Sequence, residues 1–140
     1  MTALPPAILV RSLADAQLAL GIAAGQPVTL LSPPEAAARM GAAYWQALVE
    51  AAVEAHPGSS CRDLLDCGAA PGHVLAALRQ GLTGLIFTGS TSQRDTLRAI
   101  AEGQGAVLLD SRPEAFDPVN RRNPEADCRV WLAEMTAHPR

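Results

Sequence analysis

The chain contains no lysine: all eleven of its basic residues are arginine. That absence removes a Schiff-base nucleophile, the phosphate-gripping lysine of a P-loop and any lysine-pivoted receiver switch. Aromatic residues make up only 4% of the chain and charged ones 18%. No basic surface with interleaved aromatics is therefore available for nucleic acid, the pair Arg121–Arg122 being too short to form one. The net charge of −3 also argues against nucleic acid or an anionic membrane as partner. The three cysteines, Cys61, Cys67 and Cys128, are odd in number and lack a CxxC spacing. They fit neither a disulfide framework nor a zinc site, so reduced thiols and a cytoplasmic location are expected. His56, His73 and His138 are scattered, and no metal site or cofactor is expected from them. The start, "MTALPPAILVRS", lacks the basic opening and long apolar core of a signal peptide.

What the chain does have is alternation. Five short apolar runs, Ala7–Val10, Val28–Leu31, Asp63–Asp66, Leu85–Thr88 and Val107–Asp110, are each followed by a helical pattern. The runs are continuous rather than alternating, as in strands covered on both faces. The helical patterns cover Leu13–Ala24, Pro34–Ala55, Pro71–Gln80, Thr91–Gly103 and Pro124–Ala137. Ser90 with Gln93 reads as a capping box, and Asn123 before Pro124 as an N-cap. Strict alternation with short connections implies a parallel sheet with right-handed crossovers. The expectation is one α/β domain over residues 1–140, a three-layer α/β/α sandwich with a five-stranded parallel sheet. Its strand order is expected to be flavodoxin-like, 2-1-3-4-5. The one long connection, "SRPEAFDPVNRRN", is expected to fold over the sheet edge.

The Pro34–Ala55 helix carries its polar residues, among them Glu35, Arg39, Gln46, Glu50 and Glu54, on one narrow stripe. These spaced charges argue against a membrane span. The remaining circumference, including Met40, Tyr44, Trp45 and Leu48, is more apolar than a sheet-covering helix needs. That surplus predicts a homodimer through this helix.

The most motif-like stretch is "LLDCGAAPGH", residues 64–73. It resembles motif I of the class I S-adenosylmethionine-dependent methyltransferases. The resemblance implies Asp66 as the strand-end acid and Gly68 and Gly72 as the glycines giving the cofactor room. It covers about ten residues. Two βα units precede it, and Thr88–Gly89 stands where the family's ribose-gripping acid would end the next strand. An enzyme working through the Asp66–His73 loop is the alternative this supports. One version pairs Cys67 with His73 as nucleophile and base. Read from the residues alone, the stretch is a strand-to-helix turn in which Gly68 permits the bend and Pro71 presets the helix.

The expected strand order places a crevice between the first and third strands, beyond their carboxyl ends. Ser12 would face Asp66, Cys67, Gly68, Gly72 and His73 there, with Thr88, Gly89 and Ser90 arriving from the fourth strand. Amides at helix starts attract anions, and Arg112 would supply a planar cation. The leading expectation is therefore a non-catalytic binding or regulatory domain for a small anionic metabolite carrying phosphate or carboxylate. A purely structural interaction module without ligand is the remaining alternative.

Overall fold

The computed structural model describes residues 4–137, so His138 and the first three residues of the "MTALPP" start lie outside the described residues. In chain order the elements are β1 (Ala7–Leu9), α1 (Leu13–Ala23), β2 (Val28–Leu31), α2 (Ala36–Arg39), α3 (Ala42–Ala55) and β3 (Cys61–Asp66). Then come α4 (Pro71–Gln80), β4 (Gly84–Ile86), α5 (Thr91–Gly103), β5 (Val107–Leu109), β6 (Ala115–Phe116) and α6 (Pro124–Ala137). The fold is α/β, with six parallel strands flanked by helices, in the order β5-β4-β3-β2-β1-β6.

The parallel α/β class is the expected one, but the strand count and order are corrected. The sixth strand lies inside the segment read as a long connection, where Ala115 pairs with Ala7 and Phe116 with Ile8. On its other side β1 pairs with β2, Ala7 opposite Thr29 and Leu9 opposite Leu31. The order is therefore not 2-1-3-4-5, because β6 takes the position beside β1 assigned to the third strand. Crossover chirality fixes the hand of each βα unit but not the side on which the next strand is added.

The long second helix is also corrected. Gly41, at φ +82°, separates α2 from α3. That backbone conformation is closed to most side chains and stops a helix. The apolar surplus is largely spent inside the chain, since Trp45 is 0% and Leu48 6% exposed. Neither is available to a second copy.

The chain divides into two compact units, one comprising Met1–Leu31, Leu48–Arg62 and Glu114–Arg140, the other Ser32–Ala47 and Asp63–Pro113. In the first, all four residues of β2 are buried, which explains its uninterrupted apolar run. Buried Thr29 satisfies its hydroxyl by donating to the Pro5 carbonyl at 2.9 Å. The loop after β6 is held by Arg121, whose guanidinium stacks 4.3 Å from the Phe116 ring centroid. Asn123 caps α6 as expected, accepting from the Ala126 amide at 3.1 Å.

In the second unit Leu85, Ile86 and Phe87 are fully buried around β4. Such side chains contribute about 1.5–3 kcal/mol each. Trp45 donates its indole N–H to the Asp63 carboxylate at 3.1 Å, so its polar edge is satisfied on burial. The sheet's edge strand β5 is blunted by Arg98, which donates to the Leu108 carbonyl at 3.3 Å. The Ser90 hydroxyl accepts from the Gln93 amide at 3.4 Å and donates to the Gln93 side chain at 3.2 Å. This is the expected cap of α5.

Candidate functional site

Within the second unit, β2's last peptide leads into Ser32, and β3 ends at Asp66. Asp66 is 3% exposed, and both its carboxylate oxygens are hydrogen-bonded within this unit. Its Oδ1 accepts the Gly68 amide at 2.7 Å, and its Oδ2 accepts Arg112 Nη1 at 2.7 Å. The Asp66 amide donates to the Ser32 hydroxyl oxygen at 2.9 Å. Ser32 in turn donates to the Pro33 carbonyl at 3.1 Å, while its own carbonyl accepts Arg112 Nη2 at 2.9 Å. Four residues thus close a network in which a buried carboxylate is both paired and hydrogen-bonded.

Gly68 belongs to this network for a backbone reason. It sits at φ +59°, and a Cβ there would lie 3.1 Å from Glu35 Cγ and 3.3 Å from Glu35 Oε1. Glu35 itself is in the left-handed region, at φ 55°. A left-handed non-glycine residue is uncommon, and this one places a carboxylate above the Gly68 turn. The turn and the loop after β4 are tied together, the Thr88 amide donating to the Gly68 carbonyl at 2.8 Å.

Cys67 is 2% exposed, and burial, reinforced by the Asp66 charge, pushes its thiol up to about 12. A thiol so placed is protonated near neutral pH and is an inert, structural one. The thiol makes a long contact, 3.8 Å, to the Leu65 carbonyl. Both oxygens of the neighbouring Asp66 carboxylate already accept hydrogen bonds, from Gly68 and Arg112.

The remaining positions fall into two groups. Gly72 is exposed, with nothing within 4 Å of the place a Cβ would occupy. His73 is half-buried in the first turn of α4, and Thr88 and Ser90 are exposed. Gly89 serves packing, since a Cβ there would fall 2.3 Å from the Phe87 ring. Ser12 is placed by its own helix. It belongs to the first unit, where it caps α1 by accepting the Asp15 amide at 3.2 Å. The reversal of strand order falls between β1 and β6, not between β1 and β3. Beyond those strand ends Arg11 and Asp117 form a two-pronged ion pair, at 2.7 and 3.0 Å. The Arg11 hydrogen bonds hold the Asp117 carboxyl below its ordinary range, and the same contact raises Arg11.

Ser32 and Glu35 escaped the sequence reading. The only signal for Ser32 was a hydroxyl directly after the apolar run "VTLL", and Glu35 looked like one more polar residue on a helix. Among the described residues no group of three or more acidic, histidine or cysteine side chains is placed to hold a metal ion. No described helix is long and apolar enough to cross a membrane. No protein-family model matches the chain, and no curated protein matches it.

Proposed function

We propose that the chain is a non-catalytic binding or regulatory domain for a small anionic metabolite, held where α4 and α5 begin. The observation that carries this reading is the start of α4. Its N-cap is Ala70, which offers no side-chain acceptor, and Pro71 follows it. Of its first-turn amides, His73 donates to the Ala70 carbonyl at 3.1 Å and Pro71 has none, so Gly72 offers the N–H to which the helix dipole adds positive potential. Exposed Gly72 also leaves room for a phosphate or carboxylate to approach that amide. Thr91 and Ser92, also exposed, open α5 in the same unit. Arg112 is compensated by Asp66, so its role in this reading is to hold the turn in shape. Ser12 has no part in it.

Cys67 and Cys128, buried and not in a disulfide, suit a reducing, cytoplasmic setting. A homodimer is supported by Tyr44, 59% exposed, with half-buried Met40 on the preceding turn. Light scattering that reports a monomer at high concentration removes the dimer from the proposal.

The binding claim is tested by melting the protein with millimolar inorganic phosphate and with ribose 5-phosphate, since a ligand of the folded state raises Tm. The informative variant is Gly72→Asp, which sets a carboxylate at the uncapped helix start. It should melt higher than the parent without ligand, by a dipole contribution of about 0.3–1 kcal/mol. The same substitution should abolish the rise that either anion produces. No rise in the parent protein with any phosphate-bearing probe overturns the reading.

A further inference from the structure

At the opposite ends of the strands, within the first unit, a groove of about 380 Å³ opens between the end of α1 and the segment that follows α3. Two of its lining groups stand out. The Ser59 hydroxyl oxygen is buried and has no hydrogen-bond partner, a costly condition for a polar atom that calls for an explanation. His56 bonds through Nδ1 to the Ala52 carbonyl at 3.1 Å. A carbonyl accepts only from a protonated nitrogen, so in the neutral ring Nε2 is the acceptor.

Gly21 adds an independent observation. It lies inside α1, "LADAQLALGIA", where alanine is the commonest residue. Glycine inside a helix is less stable than alanine by about 0.5–1 kcal/mol. No steric conflict demands it, because a Cβ there would meet His56 Nε2 at an ordinary 3.6 Å. What the missing methyl does is leave the face of α1 open to that nitrogen.

The electrostatics select the occupant. The groove is lined by no arginine and no carboxylate. α1 ends at Ala23 and α3 at Ala55, so two helix carboxyl ends meet this loop region. Last-turn carbonyls carry partial negative charge and favour cations and hydrogen-bond donors. Ala24, Ala55 and Pro57 supply apolar wall.

The geometry points to a second binding site here, for a small amphipathic amine. Its ammonium group donates to His56 Nε2, to the Ser59 hydroxyl and to helix-end carbonyls, while its apolar body lies along the alanine and proline wall. The site is separate from the anion reading and does not depend on it.

Benzylamine is the probe, with benzyl alcohol and benzoate as neutral and anionic counterparts of the same shape. Titrated into ¹⁵N-labelled protein, benzylamine should give saturable shifts at the Gly21, His56 and Ser59 amides. The alcohol and the acid should bind about two- to fivefold more weakly, as loss of the charge at a helix end implies. Gly21→Ala should melt no lower than the parent yet bind benzylamine about fivefold more weakly, and Ser59→Ala should weaken it similarly. Absence of saturable shifts at these amides overturns the site. Equal binding of benzyl alcohol or benzoate overturns the ligand class. Undiminished binding by Gly21→Ala overturns the role given to the glycine.

Discussion

Replacing Arg112 by methionine tests whether Asp66 is a structural carboxylate. Methionine keeps much of the arginine's apolar stem and removes the guanidinium. Asp66 Oδ2 then loses a charge-assisted hydrogen bond of 2.7 Å, and at 3% exposure water has little access to replace it. Stranding one partner of a buried ion pair costs about 3–5 kcal/mol. Here Oδ1 keeps the Gly68 amide at 2.7 Å, and the arginine side chain was 27% exposed. These reduce the expected loss to about 2–4 kcal/mol. Asp66→Asn is milder, at about 1–2 kcal/mol, because Arg112 retains the Ser32 carbonyl and some solvent. One donor of the new amide must nevertheless face the Gly68 amide or the guanidinium. The double variant should be less destabilised than the two singles summed, with a coupling of about 1–2 kcal/mol. Urea unfolding of all four proteins at neutral pH supplies the numbers. An Arg112→Met protein within about 0.5 kcal/mol of the parent, or strict additivity, would refute the network.

Three further outcomes are expected. Burial raises the pKa of Asp63 more than the Trp45 hydrogen bond lowers it, so its folded value lies above the unfolded one. Its stabilising contribution is complete below the unfolded value and is lost as pH rises through the folded value. Asp63→Asn should therefore be more stable than the parent at pH 7, and the gain should vanish below about pH 4; a gain equal at both pH values contradicts the assignment. In iodoacetamide labelling near neutral pH, Cys67 should react only when the protein unfolds, given its burial and a thiol pushed up to about 12. Prompt labelling of native Cys67 would show an accessible thiolate instead. Gly41→Ala meets open space but must adopt φ +82°, so a loss of about 1–2 kcal/mol in chemical denaturation is expected from strain alone. A neutral result would mean that α2 and α3 can join.

Where local chemistry marks a boundary, the sequence is readable to the residue. Pro71 starts α4 and the left-handed Gly81 follows its end; Ser90 and Asn123 cap α5 and α6. β6 was hidden because two residues between prolines carry no period to detect. The strand order was hidden because it depends on pairings between distant segments, such as Ala7 with Ala115. Gly41 was read through because a lone glycine does not always end a helix, and only its positive φ decides. Trp45 misled for a related reason. An indole on an apolar face looks the same in sequence whether it meets a second chain or, as here, the Asp63 carboxylate.

The turn at Asp66 was located correctly from "DCGAAPGH", and Arg112 was named with it. Their relation was not legible. Arg112 lies 46 residues from Asp66, and an arginine free for a ligand cannot be told by sequence from one already paired. Ser32 closes the same network from a position 34 residues before Asp66. The excess of hydrogen-bonding groups that suggested a site is largely consumed in holding the turn. What lacks a side-chain cap is the start of α4, at Ala70.

The most direct measurement of the account is an amide-resolved titration of the ¹⁵N-labelled protein with ribose 5-phosphate. Saturable shifts are predicted at Gly72, His73, Thr91 and Ser92, with the Arg112–Asp66 network intact and no shift at Ser12. Shifts confined to Arg11, Ser12 and Asp117, or no saturable shift at the start of α4, would contradict it.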